Sequence, residues 1–291
     1  MVVTTPDTRQ APWALCKLPA FPPIATRLLH VLSREEAQFR EIVLLVSSDP
    51  ALAAEVLRLV NSSLFGLRSR VSNLQHAVAL LGMARVRSLA VAVAIMKDYL
   101  KGTLKESTLR KCWKHTVACA VLAEELSAAA TLDPDDAYTA GLIHDIGRLG
   151  LLVSYPTEYA NLIHIAEQHQ FDPRDCERQL FDIDHCEAGR WLTAEWKFSD
   201  ELQMVAGCHH DKLPGEIERI DMVTLIHFSC ELADSLGYGV ASQTPSNSPP
   251  DGVFDAAVAL LPPRLERRIQ GDKEDFLQRV LTKIEAMGGA A

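Results

Sequence analysis

The segment GLIHDIGR at positions 141–148 constrains the fold and the chemistry of this chain more than any other part of the sequence. It sets His144 directly before Asp145, and an imidazole beside a carboxylate is a compact ligand pair for a divalent metal. Upstream, Asp133-Pro134 is typical of a helix N-terminus, because Asp caps free amides and Pro needs no N–H in the first turn. The sequence therefore predicts one helix that begins here and carries both His144 and Asp145 to the edge of a core.

Helical periodicity continues on both sides of this segment, and the sequence contains no convincing set of alternating strands. Residues 18–98 predict a compact bundle of four or five helices, one opened by Pro50 and one at 73–81 stopped by Gly82. Asn61 ends the first of these, and we interpret its side chain as bonding local backbone rather than a ligand. Further helices are predicted at 108–129, 158–170, 174–180, 184–195, 198–209 and 219–236. The fold class is all-α.

Composition shifts divide the chain into five predicted parts. They are an N-terminal extension (1–17), an N-terminal helical part (18–98), a second helical part (99–238), a flexible loop (239–253) and a C-terminal tail (254–291). The loop prediction rests on a stretch rich in Pro, Ser, Asn and Gly. In the tail we expect one amphipathic helix around 272–286.

Composition also argues against some classes of function and location. The net charge is −9 and no sizeable Lys/Arg cluster is present, which argues against direct binding of nucleic acid. The longest apolar run, residues 89–96, is too short to cross a bilayer, and the first residues do not read as a signal peptide. Seven scattered cysteines without a CxxC pair are typical of reduced thiols. We therefore expect a cytoplasmic protein without membrane contact.

Other candidate ligands accompany the His-Asp pair. They are His115, His185, His209, His210 and Asp234. Together with His144 and Asp145 they would satisfy one or two ions of Fe, Mn, Ni, Co or Zn, with Asp145 able to bridge a pair, and two such ions can promote phosphoester hydrolysis. A structural role for these histidines also stays open, because a histidine on an apolar helix face is more often a hydrogen-bonded core residue than a metal ligand. His227, seven residues before Asp234 and therefore on the same helix face, could orient a ligand.

Seven longer sequence segments, spread over about residues 15–238, resemble those of a known family. They are LPAFPPIATRLL (18–29), SSDPALAAEVLRLVNSSLFGL (47–67), LQHAVALLGMARVRSLAV (74–91), HTVACAVLAEEL (115–126), YTAGLIHDIGRLGLL (138–152), DHCEAGRWLTAEWKFSDELQMVAGCHH (184–210) and LIHFSCELADSLG (225–237). In these the chain resembles the HDOD family, the bacterial HD-related output domain. The resemblance implies an N-terminal helical bundle packed on an HD-type helical domain, and a role in bacterial signal transduction.

The second part is also similar to the HD-GYP phosphodiesterases, which hydrolyse cyclic di-GMP on two or three metals. By that analogy one metal would take His115, His144, Asp145 and Asp234, and a second would take Asp145, His185, His209 and His210. Three departures matter. Lys111 replaces the Glu of a third metal, Arg148 replaces a phosphate-binding Lys, and DKLPGEIERI (211–220) replaces the substrate loop.

The sequence therefore supports three hypotheses. The first is a regulatory module that binds divalent metal and either a signalling protein or a small ligand such as a nucleotide. The second is a metal-dependent phosphohydrolase or phosphodiesterase acting on a nucleotide, in which Asp145 and Arg148 would be the catalytic groups. The third is a stand-alone scaffold whose metals or histidine network only stabilise the fold. Whether the chain is an enzyme, and its oligomeric state, are left open by the sequence.

Overall fold

The computed structural model describes residues 13–17, 39–48, 50–61, 67, 70–83, 85–86, 107–214, 217, 219–241 and 252–288. Within these ranges all regular structure is helical and no strand occurs, which confirms the all-α prediction. None of the helices in this part of the chain is both long and apolar enough to cross a membrane. The end of the predicted N-terminal helical part (87–98), the start of the second part (99–106) and most of the predicted loop (242–251) lie outside the described residues.

Three helices form the described part of the N-terminal half, a name used here for residues 39–86. They are α1 (Phe39–Ser47), α2 (Pro50–Val60) and α3 (Leu74–Leu81). The side chain of Asn73 caps α3 by accepting from the His76 amide, and Gly82 ends it with a φ of 78°. The predicted boundaries at Pro50 and Gly82 are thus confirmed. The helices pack around a buried aliphatic cluster, of which Ile42, Val56 and Val78 are fully buried members.

Asn61 fastens the end of α2 to the segment before α3. Its amide nitrogen donates to the carbonyls of Leu57 (2.7 Å) and Val71 (2.8 Å), and its side-chain oxygen accepts from the Val71 amide (2.7 Å). All three bonds are to backbone, so the interpretation of Asn61 as a structural residue is confirmed.

Residues 107–241 form the second unit, called the HD half below. It contains α4 (Ser107–Ala130), α5 (Pro134–Ile143), α6 (Ile146–Ser154), α7 (Pro156–His169), α8 (Pro173–Phe181), α9 (His185–Glu195), α10 (Asp200–Cys208), α11 (Met222–Ala233) and a π-helical turn (Asp234–Tyr238). Four of these helices begin after an Asp whose side chain caps the first turn, namely Asp133, Asp172, Asp184 and Asp221. The long helix α4 is buried on most of its surface and packs against α5 and α11.

The His-Asp pair does not lie within one helix as predicted. Helix α5 ends at Ile143, and Asp145 has φ −102° and ψ 19° before α6 begins. Gly147 explains the new direction, because a Cβ there would lie 2.0 Å from the His185 carbonyl oxygen. Helix α6 thus meets α9 backbone to backbone, and the break between α5 and α6 turns His144 and Asp145 inward.

The C-terminal segment contains three helices where the sequence predicted one. They are α12 (Val253–Val258), α13 (Pro263–Gln270) and α14 (Lys273–Gly288). The two additional helices are too short for helical periodicity to stand out in the sequence. Helix α14 lies along α4, with Lys283 contacting Glu124 at 3.0 Å and Glu125 at 2.6 Å.

Contacts also join the N-terminal half to the HD half and to the C-terminal segment. The guanidinium of Arg85 pairs with Glu124 of α4 and lies 4.7 Å from the centre of the Tyr138 ring. Arg58 of α2 donates to the Ala286 carbonyl of α14 at 2.7 Å. The N-terminal bundle therefore packs on the HD-type unit, as the resemblance implies.

Candidate metal centre

Five places in the HD half bring the predicted ligands together. Helix α4 carries His115, the break before α6 carries His144 and Asp145, α9 begins with His185, α10 is followed by His209 and His210, and α11 is followed by Asp234. Ring centroids lie 5.5 Å apart for His115–His144, 4.9 Å for His144–His209, 5.5 Å for His185–His209 and 4.3 Å for His209–His210. All seven predicted side chains thus line one polar region.

Three of the histidines are held in the same way. The Nδ1 of His144 lies 2.6 Å from the Gly141 carbonyl, and that of His209 lies 3.1 Å from the Val205 carbonyl. The Nδ1 of His185 lies 2.7 Å from Glu177 Oε2. In each ring a donated Nδ1–H leaves the lone pair on Nε2, which is the arrangement that outer partners impose on metal-binding histidines.

The most deeply placed donors lack hydrogen-bond partners. These are the Nε2 atoms of His144 and His209 and the Oδ1 atom of Asp145. The three residues are at most 1% exposed, and their ligand atoms lie within 4.8 Å of one another. Buried lone pairs without partners are costly, and a cation between them would satisfy all three. Two imidazoles and one carboxylate fit a transition-metal ion, so the residues present fit the predicted kind of metal.

Charge distribution in the centre favours a neutral His209, a neutral His210 and an ionised Asp145. Burial and the neighbouring His144 lower the pKa of His209 to about 3. Burial and His209 hold the pKa of His210 well below its ordinary value. Burial alone would raise the pKa of Asp145, but Arg148 and the surrounding histidines hold it well below its usual range. At neutral pH both rings are therefore uncharged and Asp145 is ionised, and these are the forms that bind a metal.

A second group of donors is arranged differently. His185, His209 and His210 also have ligand atoms within 4.8 Å of one another. Arg148, however, donates from Nε to Asp145 Oδ2 at 2.7 Å, and its Nη2 lies 3.0 Å from His185 Nε2. The guanidinium thus already engages two of the four ligands assigned by analogy to a second metal.

Two residues that support Arg148 were missed in the sequence. Glu177 lies 3.4 Å from Arg148 Nη1 and is fully buried, and its other oxygen holds His185. The hydroxyl of Tyr159 donates to Glu177 and accepts from Arg148 at 3.3 Å. Burial alone would raise the pKa of Glu177, but His185 and Arg148 lower it to about 2. A glutamate in the charged segment PRDCERQL (173–180) carries no sequence signal that separates it from a surface residue.

His115 and Asp234 lie at the mouth of the centre. Nδ1 of His115 is 3.3 Å from Asp234 Oδ1, and the Asp234 side chain is 59% exposed. Two further missed residues, Cys119 and Cys230, lie on the inner side of His115, with 3.4 Å between Cys119 Sγ and His115 Nε2. His227 lies where the sequence predicted an orienting residue, since its Nδ1 is 2.9 Å from the His209 carbonyl.

A cavity of about 460 Å³ opens onto these groups. Its wall includes Arg148, His185 and His210 on one side, and Arg174 beside Asp172 and Pro173 on another. The Arg174 guanidinium lies 3.3 Å from the His210 carbonyl, which holds a second positive charge near the centre. A ligand in this cavity would meet histidine donors and two guanidinium groups together.

Comparison with known proteins identifies the relatives of this arrangement. Residues 18–212 match the HDOD domain. An HDOD domain protein of unknown function from Geobacter sulfurreducens has 23% sequence identity and a TM-score of 0.73, with 92% of this chain and 93% of that chain covered. A protein from Shewanella amazonensis SB2B, provisionally named a phosphohydrolase, has 24% identity and a TM-score of 0.72, with 96% and 98% covered.

A sequence relative adds one fact about length. An uncharacterized protein of Treponema pallidum (strain Nichols) is 25% identical over 233 residues, which are 78% of this chain but 45% of the relative. The chain thus spans less than half the length of that protein. At these identities the solved structures establish the fold, and the chemistry must be argued from the residues themselves.

Proposed function

This chain belongs to the HDOD domain family, and we propose that it is a bacterial regulatory module built around one divalent transition metal. In this proposal His144, Asp145 and His209 hold the ion, and the cavity beside it receives a phosphate-bearing ligand. The ion would supply positive charge and an open ligand position there. We further propose that the module acts in the cytoplasm.

The position of Arg148 carries this proposal. Its guanidinium is hydrogen-bonded to Asp145 Oδ2 and lies against His185 Nε2, so it uses the lone pairs that a second ion would need. Glu177 and Tyr159 hold it there in a buried network. A permanent, immobile cation in place of a second metal favours binding over a two-metal hydrolysis, which depends on two ions clamping the reacting oxygens.

The cavity wall indicates the class of ligand. Arg148 and Arg174 both border it, and guanidinium groups are well matched to phosphate oxygens. A nucleotide or another small phosphate-bearing molecule is therefore the ligand we propose. Asp234 at the mouth disfavours a ligand that is anionic throughout its length.

Helix α4 offers a route from the centre to the N-terminal half. His115 lies in its first half, and Glu124 follows nine residues later, about 14 Å along the helix axis. Glu124 pairs with Arg85 of the N-terminal half and with Lys283 of α14. We propose that a shift of α4 on ligand binding is passed through Glu124 to the N-terminal half, where a signalling protein would detect it.

Metal uptake tests the centre directly. In equilibrium dialysis against Mn²⁺, followed by elemental analysis, the wild-type chain should retain one ion. His144→Ala and His209→Ala should lose it, whereas His164→Ala, a change of an exposed histidine on α7, should not. Retention of metal by both centre variants would contradict the proposal.

Arg148→Met tests the role of the guanidinium. It removes the cation but keeps an unbranched side chain, so Asp145 Oδ2 and His185 Nε2 are freed and, together with His210, should accept a second ion. Arg148→Lys, which keeps a charge, should still bind one. A single ion in a folded Arg148→Met chain would show that Arg148 does not take the place of a metal.

A phosphohydrolase remains the second candidate, because all predicted ligands converge beside a cavity with phosphate-compatible charges. The metal-loaded chain can be incubated with a panel of phosphomonoesters and cyclic and linear phosphodiesters. The regulatory proposal expects no release of phosphate or nucleotide. Release that disappears in His144→Ala, and persists in His164→Ala, would replace the regulatory proposal by the enzymatic one.

A further inference from the structure

Two buried thiols lie directly beneath the metal centre. Cys119 on α4 and Cys230 on α11 are 0% and 3% exposed, and their sulfur atoms are 3.6 Å apart. Cys119 follows His115 by one helical turn, and Cys230 precedes Asp234 by one turn. Each thiol therefore lies one helical turn deeper in the core than a residue at the mouth of the centre.

Two imidazoles complete this group. His115 Nε2 lies 3.4 Å from Cys119 Sγ, and His144 Nε2 has no hydrogen-bond partner. One ligand atom from each of these four residues lies within 4.8 Å of the other three. The group contains two sulfur and two nitrogen donors, which is the ligand composition of many tetrahedral zinc sites.

The spacing of the donors also fits such a site. Two Zn–S bonds of about 2.3 Å at a tetrahedral angle separate the sulfur atoms by about 3.8 Å, and a Zn–N bond of about 2.1 Å places nitrogen about 3.6 Å from each sulfur. The corresponding separations here are 3.6 Å for Cys119–Cys230 and 3.4 Å for Cys119–His115. A disulfide would instead need the sulfur atoms at about 2.0 Å.

We propose that Cys119, Cys230, His115 and His144 form a tetrahedral site for a thiophilic divalent ion, zinc foremost. The inference rests on the proposed metal centre, because His144 belongs to both donor sets. One Nε2 atom binds one ion, so the chain would hold either a zinc ion among the thiols or a harder ion such as Mn²⁺ at His144, Asp145 and His209. Binding among the thiols releases two thiol protons to solvent.

Cobalt spectroscopy of the full-length chain tests this site. Co²⁺ bound by thiolates gives intense near-ultraviolet sulfur-to-cobalt charge-transfer absorption, whereas Co²⁺ bound by imidazole and carboxylate does not. Wild-type protein should show this absorption and lose it when Zn²⁺ is added. Cys119→Ser and Cys230→Ser should abolish it, whereas Cys112→Ser, a change of an equally buried thiol on the same helix, should leave it unchanged.

The outcomes separate this inference from the proposed function. Cobalt uptake without charge-transfer absorption, or absorption that persists in the double serine variant, would overturn the thiol site and leave the metal centre standing. No uptake of Mn²⁺, Co²⁺ or Zn²⁺ in dialysis would overturn both. Should the serine variants not fold, X-ray absorption at the zinc edge of wild-type protein decides. Two sulfur neighbours at about 2.3 Å support the site, and a shell of nitrogen and oxygen alone refutes it.

Discussion

The HD half and the N-terminal half bury different kinds of side chains. In the HD half the core contains His115, His144, Asp145, Arg148, Glu177, Asp184, His185 and His209. In the described residues of the N-terminal half, the buried side chains are aliphatic. Buried charges contribute little net stability and need well-placed partners. Packing alone therefore does not explain why the HD half buries these ionisable side chains. The chemistry is thus concentrated in one half, and the other is built for packing and contact.

Among the changes that test this contrast, loss of Glu177 should lower the free energy of unfolding most. Glu177→Ala leaves the buried Arg148 without a carboxylate and frees the Nδ1 of His185. We expect the free energy of unfolding to fall by roughly 3–5 kcal/mol, measured by urea denaturation. Glu195→Ala, at the exposed end of α9, should change it by less than about 0.5 kcal/mol. Equal effects would mean that the buried network does not hold the HD half together.

A methyl group at Gly147 should have the next largest effect. Its Cβ would lie 2.0 Å from the His185 carbonyl and 2.3 Å from the Gly189 amide, and backbone cannot move aside cheaply. Gly147→Ala should cost roughly 3 kcal/mol in thermal or urea unfolding and should weaken metal binding, because it separates α6 from α9.

Gly207→Ala provides the matched control, since it meets only the flexible Arg190 side chain, at 3.0 Å. That change should be neutral within about 1 kcal/mol, because alanine also favours the helix. If both glycine variants behave alike, the close approach of α6 and α9 is not what positions Asp145.

In the N-terminal half, Asn61→Ala should cost less and leave the metal untouched. It removes the bonds to the backbone of Leu57 and Val71, for which we expect a loss of about 1.5 kcal/mol. Metal content by elemental analysis should equal that of wild type. A loss of bound metal in a folded Asn61→Ala chain would show that the halves are coupled more tightly than their different cores suggest.

The smallest effect is expected where the C-terminal tail meets α4. Burial alone would raise the pKa of Glu125, but Lys283 and Arg279 lower it. A carboxyl group whose pKa is lowered by folding adds stability above its unfolded pKa of about 4.3, and this is lost as pH falls through the folded pKa. Glu125→Gln should therefore lower stability at pH 7 by about 1 kcal/mol or less, and the difference from wild type should shrink in acid.

A melting temperature series of both proteins between neutral and acidic pH checks this. A constant difference across that range would contradict the ion pairing of Glu125 with Lys283. The same series with Glu158→Gln, an exposed residue on α7, controls for general effects of charge.

The sequence predicted the helices, and which candidate ligands come together, better than it predicted the connections between the helices. Asp-Pro pairs predicted helix starts and Gly82 predicted a helix end, because these boundaries depend on residues that are neighbours in sequence. The break at Asp145 was not predicted, because its cause is the meeting of Gly147 with a distant helix. Glu177 and the Cys119–Cys230 pair were missed for the same reason, since helix periodicity does not show which remote group a side chain faces.

Arg148 illustrates the limit most clearly. The sequence placed a cation three residues after Asp145 and suggested contact with phosphate. Its hydrogen bonds show that it also joins Asp145, His185, Glu177 and Tyr159 in one buried network. Only the three-dimensional arrangement shows that this cation contacts two of the ligands that the analogy assigned to a second metal.

The most direct test is a crystal structure of the chain grown with Mn²⁺, with diffraction data collected on both sides of the manganese absorption edge. The account predicts a single anomalous peak within bonding distance of His144, Asp145 and His209, with the Arg148 guanidinium between Asp145 and His185. Two peaks bridged by Asp145, with Arg148 turned away, or no peak near these residues, would contradict it.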